Sequence, residues 1–166
     1  MSYKAIYSYA WDLAETGVDA AIDEFLALRL DTVTIAGSYH AGKFLRPRGT
    51  GGKVHFPEDG TVYFRTDPSR YGRIKPVANH ILDEHDVFAE LTDAGGIAVN
   101  AWMVLLHNTR LGEAYPDATV ENAFGDRYVY SLCPSNPAAR ELAVALCRDV
   151  TERLLRSCHQ GEVDVA

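Results

Sequence analysis

The chain has 166 residues and a formal net charge of −7, with 47% hydrophobic and 23% charged residues. That size suits one ordinary domain, and the composition is that of a globular protein in water. The acidic balance excludes nucleic acid as the main partner, because phosphate binding needs a clustered basic surface, and no apolar run is long enough to span a membrane.

Met1-Ser2-Tyr3-Lys4 leads straight into a strand, with no signal-peptide pattern ahead of it. Cys133, Cys147 and Cys158 are an odd set without metal spacing, which predicts free thiols in a reducing cytoplasm.

Ala5 to Trp11 is aromatic and β-prone and predicts strand one. Thr16 and Asp19 stand at the spacing of a capping motif, and Val18, Ile22, Phe25 and Leu26 recur at helical spacing. Asp31 to Gly37 predicts strand two, completing a right-handed βαβ unit with parallel strands. Ser38 to about Asn79 reads as a long, functional loop. Within it, Val54-His55-Phe56 and Val62-Tyr63-Phe64 flank the turn residues Pro57-Glu58-Asp59-Gly60 and predict a small hairpin.

A helix is expected from Glu84 to Ala94, buried through Val87, Phe88 and Leu91 and ended by Gly95-Gly96. Ile97 to Leu106 is nearly continuous in apolar character and predicts strand three, covered on both faces. A second long loop covers His107 to Ser135. Asn136 and Pro137 then open a helix whose stripe is Ala139, Leu142, Ala143, Leu146, Val150 and Leu154. Gly161-Glu162-Val163-Asp164-Val165-Ala166 reads as the start of a fourth strand. The predicted fold class is α/β, with parallel strands and alternating helices. It corresponds to the first three to four units of a (β/α)8 TIM barrel, in one domain spanning 1–166.

In parallel α/β folds, ligand sites lie at the carboxyl ends of strands. The candidate substrate-binding residues are therefore Trp11 and Asp12 after strand one, Tyr39, His40, Lys43 and Arg46 after strand two, and Asn100, Trp102, His107 and Asn108 from strand three. Aromatic faces beside amide, carboxylate and basic groups suit a sugar, whose C–H faces stack while its hydroxyls hydrogen-bond. Each residue has a structural alternative. The tryptophans fill cores, Asp12 caps a turn, His40 and His107 bond within loops, and Lys43, Arg46, Arg48 and Lys53 form a solvated basic loop.

Sharper motifs fail. Gly49-Thr50-Gly51-Gly52-Lys53 lacks the Ser or Thr and the first Gly of a phosphate loop. Ser38 lacks the glycines of a nucleophile elbow. His80 and His85 are five apart, which does not put both rings on one helical face, so no metal is expected.

Three segments carry a family likeness: Ser38 to Arg48, Gly96 to Trp102, and Asn122-Ala123-Phe124-Gly125-Asp126 leading into Leu132-Cys133-Pro134-Ser135-Asn136-Pro137. Together they resemble the N-terminal half of bacterial glycosyl-hydrolase-like TIM-barrel proteins, similar to the α-amylase and family-ten-like barrels. The resemblance implies a glycoside hydrolase in which two carboxylates flank the scissile bond. It places both carboxylates on later strands, beyond Ala166, so no catalytic residue is assigned here. It implies no cofactor, a carbohydrate or other small polar substrate, and either the remainder of the barrel or a second copy as partner. The rival reading is a complete, noncatalytic α/β module that binds a small ligand or a protein.

Overall fold

The structure is a computed structural model and describes residues 3–158 apart from 48 and 51, with side chains to Leu155. Arg48 and the expected fourth strand near Val163 lie outside the described residues.

Strand β1 (Ala5–Ser8) is shorter than its sequence suggests, because Ala10, Trp11 and Leu13 turn inward on helix α1 (Ala10–Thr16). Gly17 separates α1 from α2 (Val18–Ala27), and the expected Thr16–Asp19 cap does not form. Helix α2 buries Val18, Ala21, Ile22 and Phe25. Strand β2 (Thr32–Tyr39) follows and is buried along its whole length.

The segment from Ser38 to Asn79 is not a loop. Strands β3 (Phe44–Leu45) and β4 (Val54–His55) pair antiparallel with each other. Strand β5 (Thr61–Val62) pairs antiparallel with the end of β2, and β6 (Val77–Ala78) pairs parallel with β5. The hairpin expected between Val54–Phe56 and Val62–Phe64 is therefore absent. Val62, Tyr63 and Phe64 are at most 2% exposed, and their burial in the main core outweighs a local turn pairing.

Helix α3 (Val87–Ala94) starts at Asp86, whose side chain accepts the Ala89 N–H at 3.3 Å, and ends at Gly95. Strand β7 (Ala98–Met103) pairs parallel with β2. Helix α4 (Thr109–Ala114), strand β8 (Thr119–Glu121) and strand β9 (Arg127–Leu132) occupy the second expected loop. Helix α5 (Pro137–Cys158) opens as expected, with Asn136 Oδ1 accepting the Ala138 and Ala139 N–H groups.

The strands β1, β2 and β7 are parallel and adjacent, with β2 in the centre. β7 runs along one edge of β2. β1 takes the first half of the other edge and β5 its end. The sheet is thus five-stranded and mixed, accompanied by the β3–β4 and β8–β9 hairpins. Only two parallel strand–helix alternations occur among the described residues, β1–α1–α2–β2 and β2–α3–β7. This overturns the barrel expectation. A barrel series adds each new strand parallel to the last, whereas here the chain turns back at Gly60 and inserts β5 antiparallel.

Helices α1, α2, α3 and α5 form one layer, each packed on the next, and α1 also meets α3. A Cβ at Gly37 would meet Met103 and Phe88, so this face of β2 lies under α3. Tyr7, Thr34 and Asn100 stand in register on the opposite face. There Tyr7 is 70% exposed and Asn100 and Ala98 are exposed. Strand β7 is therefore not covered on both faces, contrary to its apolar sequence. One sheet face is left open beside the carboxyl ends of the strands.

Candidate functional site

The carboxyl ends of β1, β2 and β7 bring together a continuous group of rings. Tyr9 stacks on Trp11, with centroids 4.4 Å apart and planes at 9°. Tyr39 meets Tyr9 edge-on at 5.4 Å and Trp102 at 5.2 Å. Tyr7 meets Trp102 edge-on at 5.7 Å, on the open face. Phe44 and His55, from the β3–β4 hairpin, lie 5.5 and 4.7 Å from Trp11. On the other side Tyr39 stacks on His40 at 4.5 Å, His40 lies 4.6 Å from His107, and His107 lies 5.5 Å from Tyr130 of β9.

Of the expected residues, Trp11, Tyr39, His40, Trp102 and His107 thus join one aromatic group. Their accessibilities differ. Trp11 and Tyr39 are buried at 6% and 8%, Trp102 and His40 are half-buried, and His107 is exposed. Trp102 can therefore present an indole surface, whereas Trp11 is covered. His40 Nδ1 donates to the Ala41 carbonyl at 2.6 Å, which leaves Nε2 as the acceptor of the neutral ring.

Asp12 and Arg46 pair with each other rather than standing ready for a ligand. Arg46 Nε lies 3.2 Å from Asp12 Oδ1, and the guanidinium also pairs with Glu15. Asp12 sits on α1 rather than at a strand end. Desolvation raises its carboxyl above the usual range, against the opposing pull of Arg46. Lys43 is exposed. Asn100 donates to the Tyr3 hydroxyl at 3.1 Å on the open face. Asn108 is structural: it accepts the Leu111 N–H at 2.9 Å, capping α4, and donates to the Gly60 carbonyl at 2.9 Å.

Tyr9 and Tyr63 keep their protons at neutral pH. Burial and the neighbouring Tyr39 hydroxyl push Tyr9 up to about 12, and burial pushes Tyr63 up to about 12. Burial and the Arg46 charge push the His55 imidazole down. Neutral phenols within a cluster of rings favour a polar ligand without charge over an ion.

Sequence reading missed Tyr7, Tyr9, Phe44, His55 and Tyr63. The alternation Tyr7-x-Tyr9-x-Trp11 was visible, but the convergence of β3–β4 on it was not.

Beside the group, a groove of about 450 Å³ runs between the β1–α1–α2 edge and the β3–β4 hairpin, with Ile6, Leu13, Phe25 and Leu45 on its walls. A second cleft of about 220 Å³ lies at α5, where buried Asp149 accepts the Tyr71 hydroxyl at 2.8 Å and the Asp67 N–H at 2.9 Å. Arg153 pairs with Asp86 at 3.2 Å nearby. This network ties α5 to the segment after β5 and reads as structural. No group of three or more metal-ligating side chains exists among the described residues. Cys133 and Cys147 are free, and the Cys158 side chain lies outside the described part. No described helix is long and apolar enough to cross a membrane.

No protein family, functionally described protein or solved structure matches this chain.

Proposed function

We propose that the open face of β1 and β7, with its aromatic rim, binds a neutral carbohydrate. The observation that carries this reading is Trp102. Its half-buried indole stands edge-to-face with the exposed Tyr7 ring at 5.7 Å, on the same strand and sheet face as the Asn100 amide. A sugar ring stacks its C–H face on an indole while an amide and a phenol bond its hydroxyls. The neutral Tyr9 and Tyr63 hydroxyls among the rings support a polyol. No residue is assigned a catalytic role, and no cofactor is called for. In a glycosidase reading the described residues supply binding positions, with the reacting carboxylates elsewhere.

A second reading, a module that docks a protein, is favoured by Phe124, 91% exposed at the tip of the β8–β9 hairpin. Self-association belongs with that reading, because β1 and β7 each present an edge without a partner strand among the described residues. A cytoplasmic setting accords with the free Cys133 and Cys147 thiols.

Calorimetric titration with neutral oligosaccharides tests the carbohydrate reading. Saturable heats abolished or weakened by substitution at Trp102 support it. The absence of binding to a panel of β- and α-linked glucans, xylans and chitin oligomers removes it.

A further inference from the structure

The β3–β4 hairpin is a small structure of its own. Its strands are two residues each and pair only with each other. A two-stranded hairpin of this kind is marginally stable by itself, so its position depends on what fastens it. Phe44 packs inward on Tyr9, Trp11 and Tyr39, and among the described residues the polar fastening is to α1. Arg46 pairs with Asp12 at 3.2 Å and with Glu15, and Glu15 also accepts the Thr50 N–H at 2.6 Å. The outward side chains Leu45 and Phe56 are 74% and 69% exposed and add little hold.

Beneath the hairpin lies the most enclosed part of the aromatic group. Phe44 and His55 roof Trp11, which stacks on Tyr9. Tyr63 lies 5.5 Å from Trp11 between ring centroids. The Trp11 indole N–H and the Tyr63 hydroxyl are both fully buried and have no hydrogen-bond partner among the described residues. The Tyr63 hydroxyl sits near Thr61, outside hydrogen-bond geometry. Buried polar atoms are nearly always paired, and an orphan costs stability. Two orphans in adjoining rings mark a place where polar partners are expected.

We propose that the β3–β4 hairpin is a strap, latched by Arg46, over a second sugar subsite built on Trp11, Tyr9 and Tyr63. The proposal rests on the carbohydrate reading and deepens it. With the strap lifted, Trp11 offers a stacking face, and ligand hydroxyls satisfy its N–H and the Tyr63 hydroxyl. Tyr9 joins this subsite to the open platform, since its ring is 4.4 Å from Trp11 and 6.1 Å from Trp102. The ligand class narrows accordingly to an oligosaccharide spanning both platforms. Closing the strap holds back the binding-competent form, so breaking the latch raises apparent affinity.

The two tryptophans of the chain serve as separate reporters. Trp102→Phe leaves Trp11 as the only indole, and Trp11→Phe leaves Trp102. In the Trp102→Phe protein, acrylamide quenching of Trp11 should be weak. Adding Arg46→Ala should raise it several-fold, and a neutral pentasaccharide that binds the protein should then suppress the quenching. Glu15→Gln is the milder latch variant, used if circular dichroism shows Arg46→Ala unfolded. The proposal is overturned if Trp11 stays equally shielded in folded latch variants. It is also overturned if Trp11 becomes exposed yet ignores a saccharide that shifts Trp102 emission in the Trp11→Phe protein. If neither indole responds to any saccharide, the carbohydrate reading itself falls.

Discussion

The Asp59 carboxylate accepts the backbone N–H of Ala41 at 2.8 Å. Its other oxygen accepts the Thr109 N–H at 3.1 Å. One side chain in a turn therefore joins the segment after β2, which carries His40, to the segment after β7, which carries His107 and Asn108. The same two segments carry the His40–His107 contact, 4.6 Å between ring centroids.

Asp59→Asn tests the junction. Partial burial opposes ionisation of Asp59, but the N–H groups of Ala41, Thr109 and Arg110 outweigh it and hold the carboxyl below its ordinary value. A depressed acid stabilises the fold above its unfolded value, about 4, and loses that contribution as pH falls through the folded value. The variant should be less stable at pH 7 by about 1–2 kcal/mol, the scale of charge-assisted bonds replaced by neutral ones. The difference should shrink on acidification toward pH 3. Urea unfolding at both pH values measures it, and a gap that widens in acid contradicts the assignment.

Gly60→Ala should be among the most damaging single-atom changes. Gly60 has a φ of 63°, and a Cβ there would collide with the Asn108 amide that caps α4. The left-handed conformation alone costs an alanine about 1–2 kcal/mol. Gly125 has a φ of 90° with open space around it. Gly125→Ala should therefore carry only the conformational cost. Calorimetric melts should place Gly60→Ala clearly below Gly125→Ala; equal midpoints would show that the Asn108 contact relaxes freely.

Tyr71→Phe probes the network at α5. It removes the hydroxyl that donates to buried Asp149 at 2.8 Å, leaving that carboxylate the Asp67 N–H and, at 3.7 Å, Arg70. A loss of about 1–3 kcal/mol is expected from an under-satisfied buried acceptor. Thermal denaturation checks the magnitude. Saccharide affinity should be unchanged, because this cleft lies away from the aromatic group.

Tyr7→Ala and Trp102→Ala address the proposed carbohydrate platform. Tyr7 is 70% exposed, so its removal should change stability by less than about 0.5 kcal/mol. A stacking contact is worth about 1 kcal/mol beyond burial, or about fivefold in affinity. Trp102→Ala should weaken oligosaccharide binding at least that much, with some loss of stability as well. Unchanged affinity in a folded Trp102→Ala protein, measured by calorimetry beside a melt, would rule Trp102 out as a platform.

Local chemistry determined a good part of this structure. The parallel association of β1, β2 and β7, the end of α3 at Gly95 and the start of α5 at Asn136 follow from apolar periodicity and from caps. Those signals act between near neighbours and survive in any tertiary setting. Other features were decided only by distant partners. Thr61–Val62 joins β2 through a two-residue antiparallel ladder, too short to leave a periodic trace, and that pairing turns a supposed barrel series into a mixed sheet. Asp59 reads as turn chemistry until Ala41 and Thr109 are placed against it. Trp11 and Trp102 look equivalent along the chain, but one is roofed by Phe44 and His55 and the other borders an open face. Burial is a property of what folds over a residue, and for these rings the covering segments come from more than thirty positions away.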